Sequence, residues 1–202
     1  MTKIFLLLFL FVPSELLAEY KNTSGTALEK SFSDMVKWIR SDQEPKLSSI
    51  EISSEWEDLN LLEDDNYAVW IGHSTFLIKK NGITILTDPI FSDRASPFKR
   101  IGPKRLIPAA IDLKAIPKID YVTVSHNHYD HLDIHSLINI SKNHPDAIFL
   151  VPAGDRDLLK RKRIKNVYEF EWWESFKDDD IEFTFTPVQH WSKRGLFDRN
   201  KS

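Results

Sequence analysis

From residue 67 onward the chain alternates short apolar runs with polar turns, the pattern of strands that bury one or both faces. Tyr67 to Ile71 predicts a strand stopped by Gly72. Thr75 to Lys80 and Ile83 to Thr87 predict two more, joined by Asn81-Gly82, a dipeptide that suits a tight hairpin. A long loop follows from Asp88 to about Lys118 and holds five of the ten prolines. The run Ile119 to Val124 predicts a strand, and a helix is expected from near Asp133, whose side chain can act as its N-cap. Ala147 to Val151 reads as a strand, Asp155 to Arg163 as a helix and Asn166 to Glu171 as a further strand. Asp178-Asp179-Asp180 makes a turn into Ile181 to Thr186, which alternates and delivers Pro187, Val188, Gln189 and His190. Strands and helices interleaved in this way predict an α/β arrangement with sheet packed on helix.

Before residue 67 the pattern is weaker. Residues 21 to 60 are polar, with a short helix predicted over Ser31 to Arg40, carrying Phe32, Met35, Val36 and Trp38. No repeat of fixed period is visible. At the start, one Lys precedes an apolar run from Ile4 to Val12, then Pro13 and small or polar residues. Nine apolar residues are too few to span a bilayer and suit the core of an export signal over residues 1–18, cleaved after Ala18. An uncleaved anchor or a misassigned start is the alternative. The expected division is therefore 1–18 export signal, 19–60 extension and 61–202 folded domain, in a protein exported to the periplasm or a membrane surface.

Composition narrows the chemistry. With 42% hydrophobic and 28% charged residues in 202, the chain fits a folded domain, and a net charge of −3 gives no general attraction to nucleic acid. There is no cysteine, which excludes disulfides, a thiol nucleophile and thiolate metal sites.

Three of the seven histidines, with two aspartates, crowd into the nine residues 125–133, SHNHYDHLD, at the end of the strand that closes at Val124. In extended backbone, residues i and i+2 point the same way, so His126 and His128 can pinch one ion between them. Asp130 and His131, past the strand end, face a second position, and His190 arrives from another strand to complete the first set. Neutral imidazole and carboxylate suit Zn²⁺ and its first-row neighbours. Two such ions roughly 3.5 to 4 Å apart clamp a hydroxide and stabilise attacking and leaving oxygens. The alternative is a solvated polar turn capping a helix.

SHNHYDH resembles the HxHxDH motif of the metallo-β-lactamase fold family. The segments VWIGHSTFLIKKNGITILTDPIFSDRASPFKRIGPKRL, DYVTVSHNHYDHLD, EFEWWES and FTPVQHWSKRGLFDRN are similar, in order and spacing, to N-acylphosphatidylethanolamine-hydrolysing phospholipase D and its bacterial relatives. The likeness runs from about Trp70 to the last residue. It implies a four-layer αβ/βα sandwich of two similar halves. It also implies His126, His128 and His190 on one zinc, and Asp130 and His131 on the other, with Asp130 as the candidate catalytic carboxylate. By resemblance, the bridging hydroxide attacks the phosphorus of an N-acylated phosphatidylethanolamine and releases phosphatidic acid and an N-acylethanolamine. The same fold also hydrolyses lactones and other esters. The family carries a further bridging aspartate and a further histidine, both well downstream of the His190 position. Asp198 falls in a matched stretch where relatives carry no ligand. The resemblance thus supplies five of seven ligands and about half of a sandwich, with one zinc held more firmly than the second. The expectation is a front part of a longer protein or an inactive truncated remnant, with an apolar sheet face and an open edge. Expected partners are a phospholipid or membrane surface and a homo-oligomeric copy.

Other residues are weighed on position. Asp88, ending a strand before Pro89, is expected to orient a ligand imidazole, the alternative being a turn aspartate. His73, after Gly72, either lies near the metals or is an ordinary histidine. His135, one helical turn past His131, is expected to face solvent, and His144 is assigned nothing. Arg94, Lys99, Arg100, Lys104 and Arg105 either hold an anionic headgroup or solvate the long loop. Lys160-Arg161-Lys162-Arg163 closes a helix and complements its dipole. Trp172 and Trp173 are expected in the core or as an apolar wall.

Overall fold

The computed structural model describes residues 20, 22–25, 33, 37, 55–98, 100–178 and 181–195. The export signal, Lys99, Asp198 and most of the Ser31 to Arg40 helix lie outside the described residues, although Ser33 and Lys37 are helical. Among the described residues no helix is long and apolar enough to cross a membrane.

Six strands form the main sheet in chain order: β1 (Asn66–Gly72), β2 (Thr75–Lys80), β3 (Ile83–Thr87), β4 (Tyr121–Thr123), β5 (Ile148–Pro152) and β6 (Val167–Phe170). The first two ladders are antiparallel and the other three parallel. Asn81 and Gly82 take φ of 51° and 79°, the left-handed pair that a two-residue hairpin needs to match strand twist. Helix α1 (Ile134–Asn143) carries the chain from β4 to β5, and α2 (Arg156–Arg161) from β5 to β6.

Alternation along the strands divides the core. Leu77, Leu86, Val122 and Phe149 pack with Leu137 and Ile140 of α1 and Leu159 of α2 on one face. Tyr121, Leu150 and Phe170 turn to the other face. There a second, two-stranded sheet, β7 (Ser175–Asp178) and β8 (Ile181–Thr184), brings Phe176 and Phe183 against them. Tyr121 stands 4.9 Å from the Phe183 ring and donates its hydroxyl to Asp178 at 2.5 Å. Farther along this face the cross-strand neighbours Trp70 and Phe76 remain 44% and 40% exposed.

Several expectations need correction. β7 had no signal of its own, because its four residues SFKD are only half-buried in alternation and three are polar. The strand expected to reach Thr186 ends at Thr184, so His190 stands on a loop rather than at a strand end. Trp173 is 69% exposed, on a turn with φ of 70°, and is not core. In the long loop, Arg94 donates to the Gly102 carbonyl and Arg105 to those of Ile90 and Ile107. These two cations brace backbone, whereas Arg100 and Lys104 are exposed, Lys104 along the lining of a cavity.

Asp133 caps α1 as expected, accepting from His135 N at 3.2 Å, and it also takes bonds from Ser136 Oγ and Ser92 N. Buried with three donors around it, this carboxylate fixes the helix start and the long loop together. The histidine turn between β4 and α1 is thereby held at both ends.

Candidate metal centre

The tips of β3 and β4 lie side by side because the strands are parallel, and Asp88 N donates to Thr123 O at 2.8 Å. This sets the Asp88 carboxylate beneath the histidine turn. Oδ1 accepts from Ser125 N at 2.7 Å, and Oδ2 accepts from Ser125 Oγ and His131 Nδ1, each at 2.8 Å. Asp88 thus accepts from the His131 imidazole. Its hydrogen bond keeps the proton of His131 on Nδ1 and turns the Nε2 lone pair outward.

The same oxygen network orients His126. Ser125 Oγ gives its one proton to Asp88, so His126 Nδ1, 3.0 Å away, is the donor to that hydroxyl and Nε2 carries the lone pair. His128 Nδ1 approaches this Nε2 at 2.9 Å. His128 Nε2 is then a buried nitrogen with no hydrogen-bond partner among the described residues. His190 closes the group, its ring 4.6 Å from His126 and 5.1 Å from His128. One donor atom from each of the three lies within 4.8 Å of the others.

Burial and the neighbouring imidazoles of His131, His128 and His190 push the His126 ring down to about 3. Burial and His190 push His128 down to about 4. His190 is lowered too, by burial and then by His131, although its outer rim is exposed. Three imidazoles kept neutral, each with one ring nitrogen within 4.8 Å of the others, fit a divalent cation.

A second group stands beside the first. Asp130 Oδ2 lies 3.7 Å from His131 Nε2 and 3.0 Å from His73 Nε2. Burial works to raise the Asp130 carboxyl, but His131, a backbone hydrogen bond and His73 outweigh it and hold it below its ordinary value. His135 is exposed and joins neither group.

The loop bearing His190 is tied down by Arg194. Its guanidinium donates to Asn127 O at 3.1 Å and Leu132 O at 2.7 Å, and it lies 4.2 Å over the Tyr129 ring. Tyr129 returns a bond to Arg194 O at 3.0 Å, and Trp191 packs 4.4 Å from His128. Ser125 and Arg194 therefore position the group, although nothing in the sequence singled them out. A serine before the first histidine could have been flagged as a donor, whereas Arg194 carries no signal beyond a basic residue in a polar tail.

Two cavities meet here. One, of about 530 Å³, opens between the two sheets onto His126 and His190. The other, of about 940 Å³, runs from His73, His128 and Asp130 between Trp70, Ile90 and Leu106.

A family profile described as "Beta-lactamase superfamily domain" matches residues 84–202. The chain belongs to this superfamily. Among relatives of this superfamily member, the mitochondrial N-acyl-phosphatidylethanolamine-hydrolyzing phospholipase D of Saccharomyces cerevisiae is 41% identical over 141 residues, 67% of this chain and 30% of that protein. N-acyl-phosphatidylethanolamine-hydrolyzing phospholipase D 1 of Caenorhabditis elegans is 37% identical over 68% of this chain and 41% of its own length. The chain thus spans well under half of these relatives. A solved structure of Igni18, a metallo hydrolase of Ignicoccus hospitalis, is 21% identical with a TM-score of 0.45, over 62% of this chain and 49% of that one. The α/β fold and the superfamily are the ones the sequence implied.

In this superfamily member the depressed histidines make stability depend on acid. In the unfolded chain an imidazole takes up its proton near 6.5, whereas folded His126 and His128 wait until about 3 and 4. The unfolded state therefore binds more protons across that window, and the metal-free fold loses stability as pH falls from about 6.5 toward 3. Thermal melts at pH 7, 5.5 and 4.5 should show a falling midpoint, with a shallower fall in a His126→Ala/His128→Ala double variant. Equal slopes would contradict the burial of these rings.

Proposed function

We propose that this chain carries the metal-holding part of a zinc-dependent hydrolase acting on phosphodiesters of the N-acylphosphatidylethanolamine type. His126, His128 and His190 hold one cation, and Asp130 and His131 hold part of a second. What supports the reading most is the side-by-side placement of these two donor groups at the mouth of a mainly apolar cavity. Paired divalent cations bound there would lower the pKa of a water and hold negative charge on the phosphate oxygens. The chain's own residues do the rest. Asp88 and Ser125 keep the Nε2 lone pairs aimed inward. Trp70, Ile90 and Leu106 offer an apolar wall to acyl chains, and Lys104, lining the same cavity, places a cation near an anionic headgroup. In the reaction, a water oxygen bonds to phosphorus while the phosphorus–oxygen bond to the ethanolamine breaks, and the departing oxygen takes up a proton.

The names of the two phospholipase D relatives support the substrate class, at 41% and 37% identity. The test supplies the zinc-loaded chain with vesicles of N-acylphosphatidylethanolamine and, separately, with a panel of lactones. Release of N-acylethanolamine that stops with a chelator and returns with zinc is the expected result. Turnover of lactones alone would move the reading to another ester bond. A chain that binds zinc and hydrolyses neither would leave it as a non-catalytic metal binder.

A further inference from the structure

We infer that the loop from Arg94 to Leu106 is a docking element for an anionic phospholipid surface, and that it seats the mouth of the larger cavity on the lipid. The inference rests on the phospholipid reading of the site and deepens it by naming the part of the chain that meets the bilayer. Charge is its first support. Between Arg94 and Ile111 the sequence holds five Lys or Arg and no Asp or Glu, in a chain whose net charge is −3. One sign gathered locally in a chain of the opposite sign selects an anionic partner. Two of the five are occupied within the loop, Arg94 on the Gly102 carbonyl and Arg105 on those of Ile90 and Ile107. Arg100 and Lys104 are exposed. The apolar side chains set among these cations are exposed as well, Phe98 at 62%, Ile101 at 68% and Leu106 at 52%. Such a mixture suits a phospholipid interface, where apolar side chains enter the acyl boundary and cations meet the phosphates.

The loop is built to hold this tip outward. Its two legs pair through Ala95 N to Pro103 O at 3.0 Å and Arg105 N to Asp93 O at 2.7 Å, and the Arg94 guanidinium reaches Gly102 O at 2.6 Å. Gly102 takes φ of 106°, and a Cβ there would stand 2.7 Å from Ser96 Cβ, so the legs touch and only glycine fits. Every described residue from Pro97 to Lys104 is exposed. Below the tip, Phe91 N and Ser92 N bond to Ser136 and Asp133 at the start of α1, which fixes the base of the loop to the framework. The inner side of the loop faces the chemistry, since Pro103, Lys104 and Leu106 line the same cavity as His128 and Asp130. Lipid seated against the tip therefore meets the entrance to the candidate metal centre. A second copy of the chain is the rival occupant. Stable protein interfaces bury ~800 Å² per partner and are poor in charge at their centre. Three apolar side chains separated by cations do not provide that, whereas a bilayer needs only a few inserted side chains backed by positive charge.

The chain has no cysteine, so Phe98→Cys, Ile101→Cys and, as a control, Lys162→Cys each create one site for an environment-sensitive fluorophore. Lys162 is exposed just past α2, at the edge of the sheet where the parallel strands begin, whereas the histidine turn stands where they end. The probes are vesicles of phosphatidylcholine alone and of equal parts phosphatidylcholine and phosphatidylglycerol. Both are free of N-acylphosphatidylethanolamine, so binding is read without turnover. With the anionic vesicles the labels at positions 98 and 101 should shift to the blue and the label at 162 should stay. Binding, followed by sedimentation, should weaken on phosphatidylcholine alone and with added salt. Phe98→Ser/Ile101→Ser should bind the anionic vesicles at least ~10-fold more weakly, and Arg100→Gln roughly 5-fold more weakly, with far-UV circular dichroism unchanged. The apolar double variant should also lose hydrolysis of substrate in vesicles while keeping that of a short-chain soluble phosphodiester. No shift at 98 and 101 on vesicles that bind the chain, undiminished binding by the double variant, or no binding to either vesicle would overturn the docking element. None of these touches the hydrolase reading, which the soluble phosphodiester judges separately. Shifts at 98 and 101 that follow protein concentration without vesicles would overturn it in favour of a contact between copies.

Discussion

His128→Ala is expected to strip the first cation from the protein without unfolding it. The imidazole is one of three converging donors, and its removal leaves His126 and His190 as two, too few for a firm site. Loss of an outer hydrogen-bond partner typically weakens a metal ~10–100-fold, so loss of a direct ligand should exceed that range. The fold should tolerate the change. The backbone bonds of the turn, His131 N and Leu132 N to His128 O, need no side chain, and the buried His128 nitrogen without a partner disappears with the ring. Metal analysis after dialysis against zinc should therefore show about one equivalent fewer, with far-UV circular dichroism unchanged. Zinc, iron and manganese should be compared in the same experiment, since imidazole donors accept all three. Metal content equal to that of the unsubstituted chain would remove the trio from the account.

How much of this could be seen beforehand follows from the kind of interaction involved. β2, β3 and the turn between them were legible residue by residue, because alternation, burial and the Asn-Gly dipeptide all act within a few positions. The cap at Asp133 was legible for the same reason. The gathering of His126, His128 and His190 was implied by strand geometry plus resemblance, and the structure brings the rings within 4.6 and 5.1 Å. Three things were not legible. Arg194 works by reaching carbonyls more than sixty residues back in the chain, which no local pattern encodes. His73 was a candidate from its position, but its contact with Asp130 depends on a bulge and a positive φ that appear only once β1 and β2 are paired. β7 exists because Phe176 finds Tyr121 on the main sheet, a tertiary contact that overrides a weak local preference. Long-range placement, rather than residue chemistry, is where the sequence fell silent.

Asp88→Asn is the sharper test of how the centre is wired, because the substitution keeps the size and removes only the acceptor chemistry. The amide oxygen can still accept from Ser125 N, but the amide nitrogen now faces Ser125 Oγ and His131 Nδ1 where Oδ2 accepted at 2.8 Å from each. An N–H₂ cannot accept, so His131 keeps a bond there only by offering Nδ1 as a lone pair and moving its proton to Nε2. That is the atom aimed at Asp130, and a protonated Nε2 cannot bind a cation. Ser125 must also turn its hydroxyl, which removes the partner that fixes the His126 tautomer. Both donor groups are therefore disturbed from one position. Affinity for the second equivalent should fall ~10–100-fold, with a smaller loss at the first. Losing two bonds to a buried carboxylate should also lower stability by about 1–3 kcal/mol, measured by denaturant unfolding of the metal-free chain. Histidine-ring ¹⁵N shifts separate the two effects, since a His131 tautomer change is visible before any metal is added. If His131 keeps its proton on Nδ1 in Asp88→Asn and both equivalents bind as before, the carboxylate is a turn residue before Pro89 and nothing more.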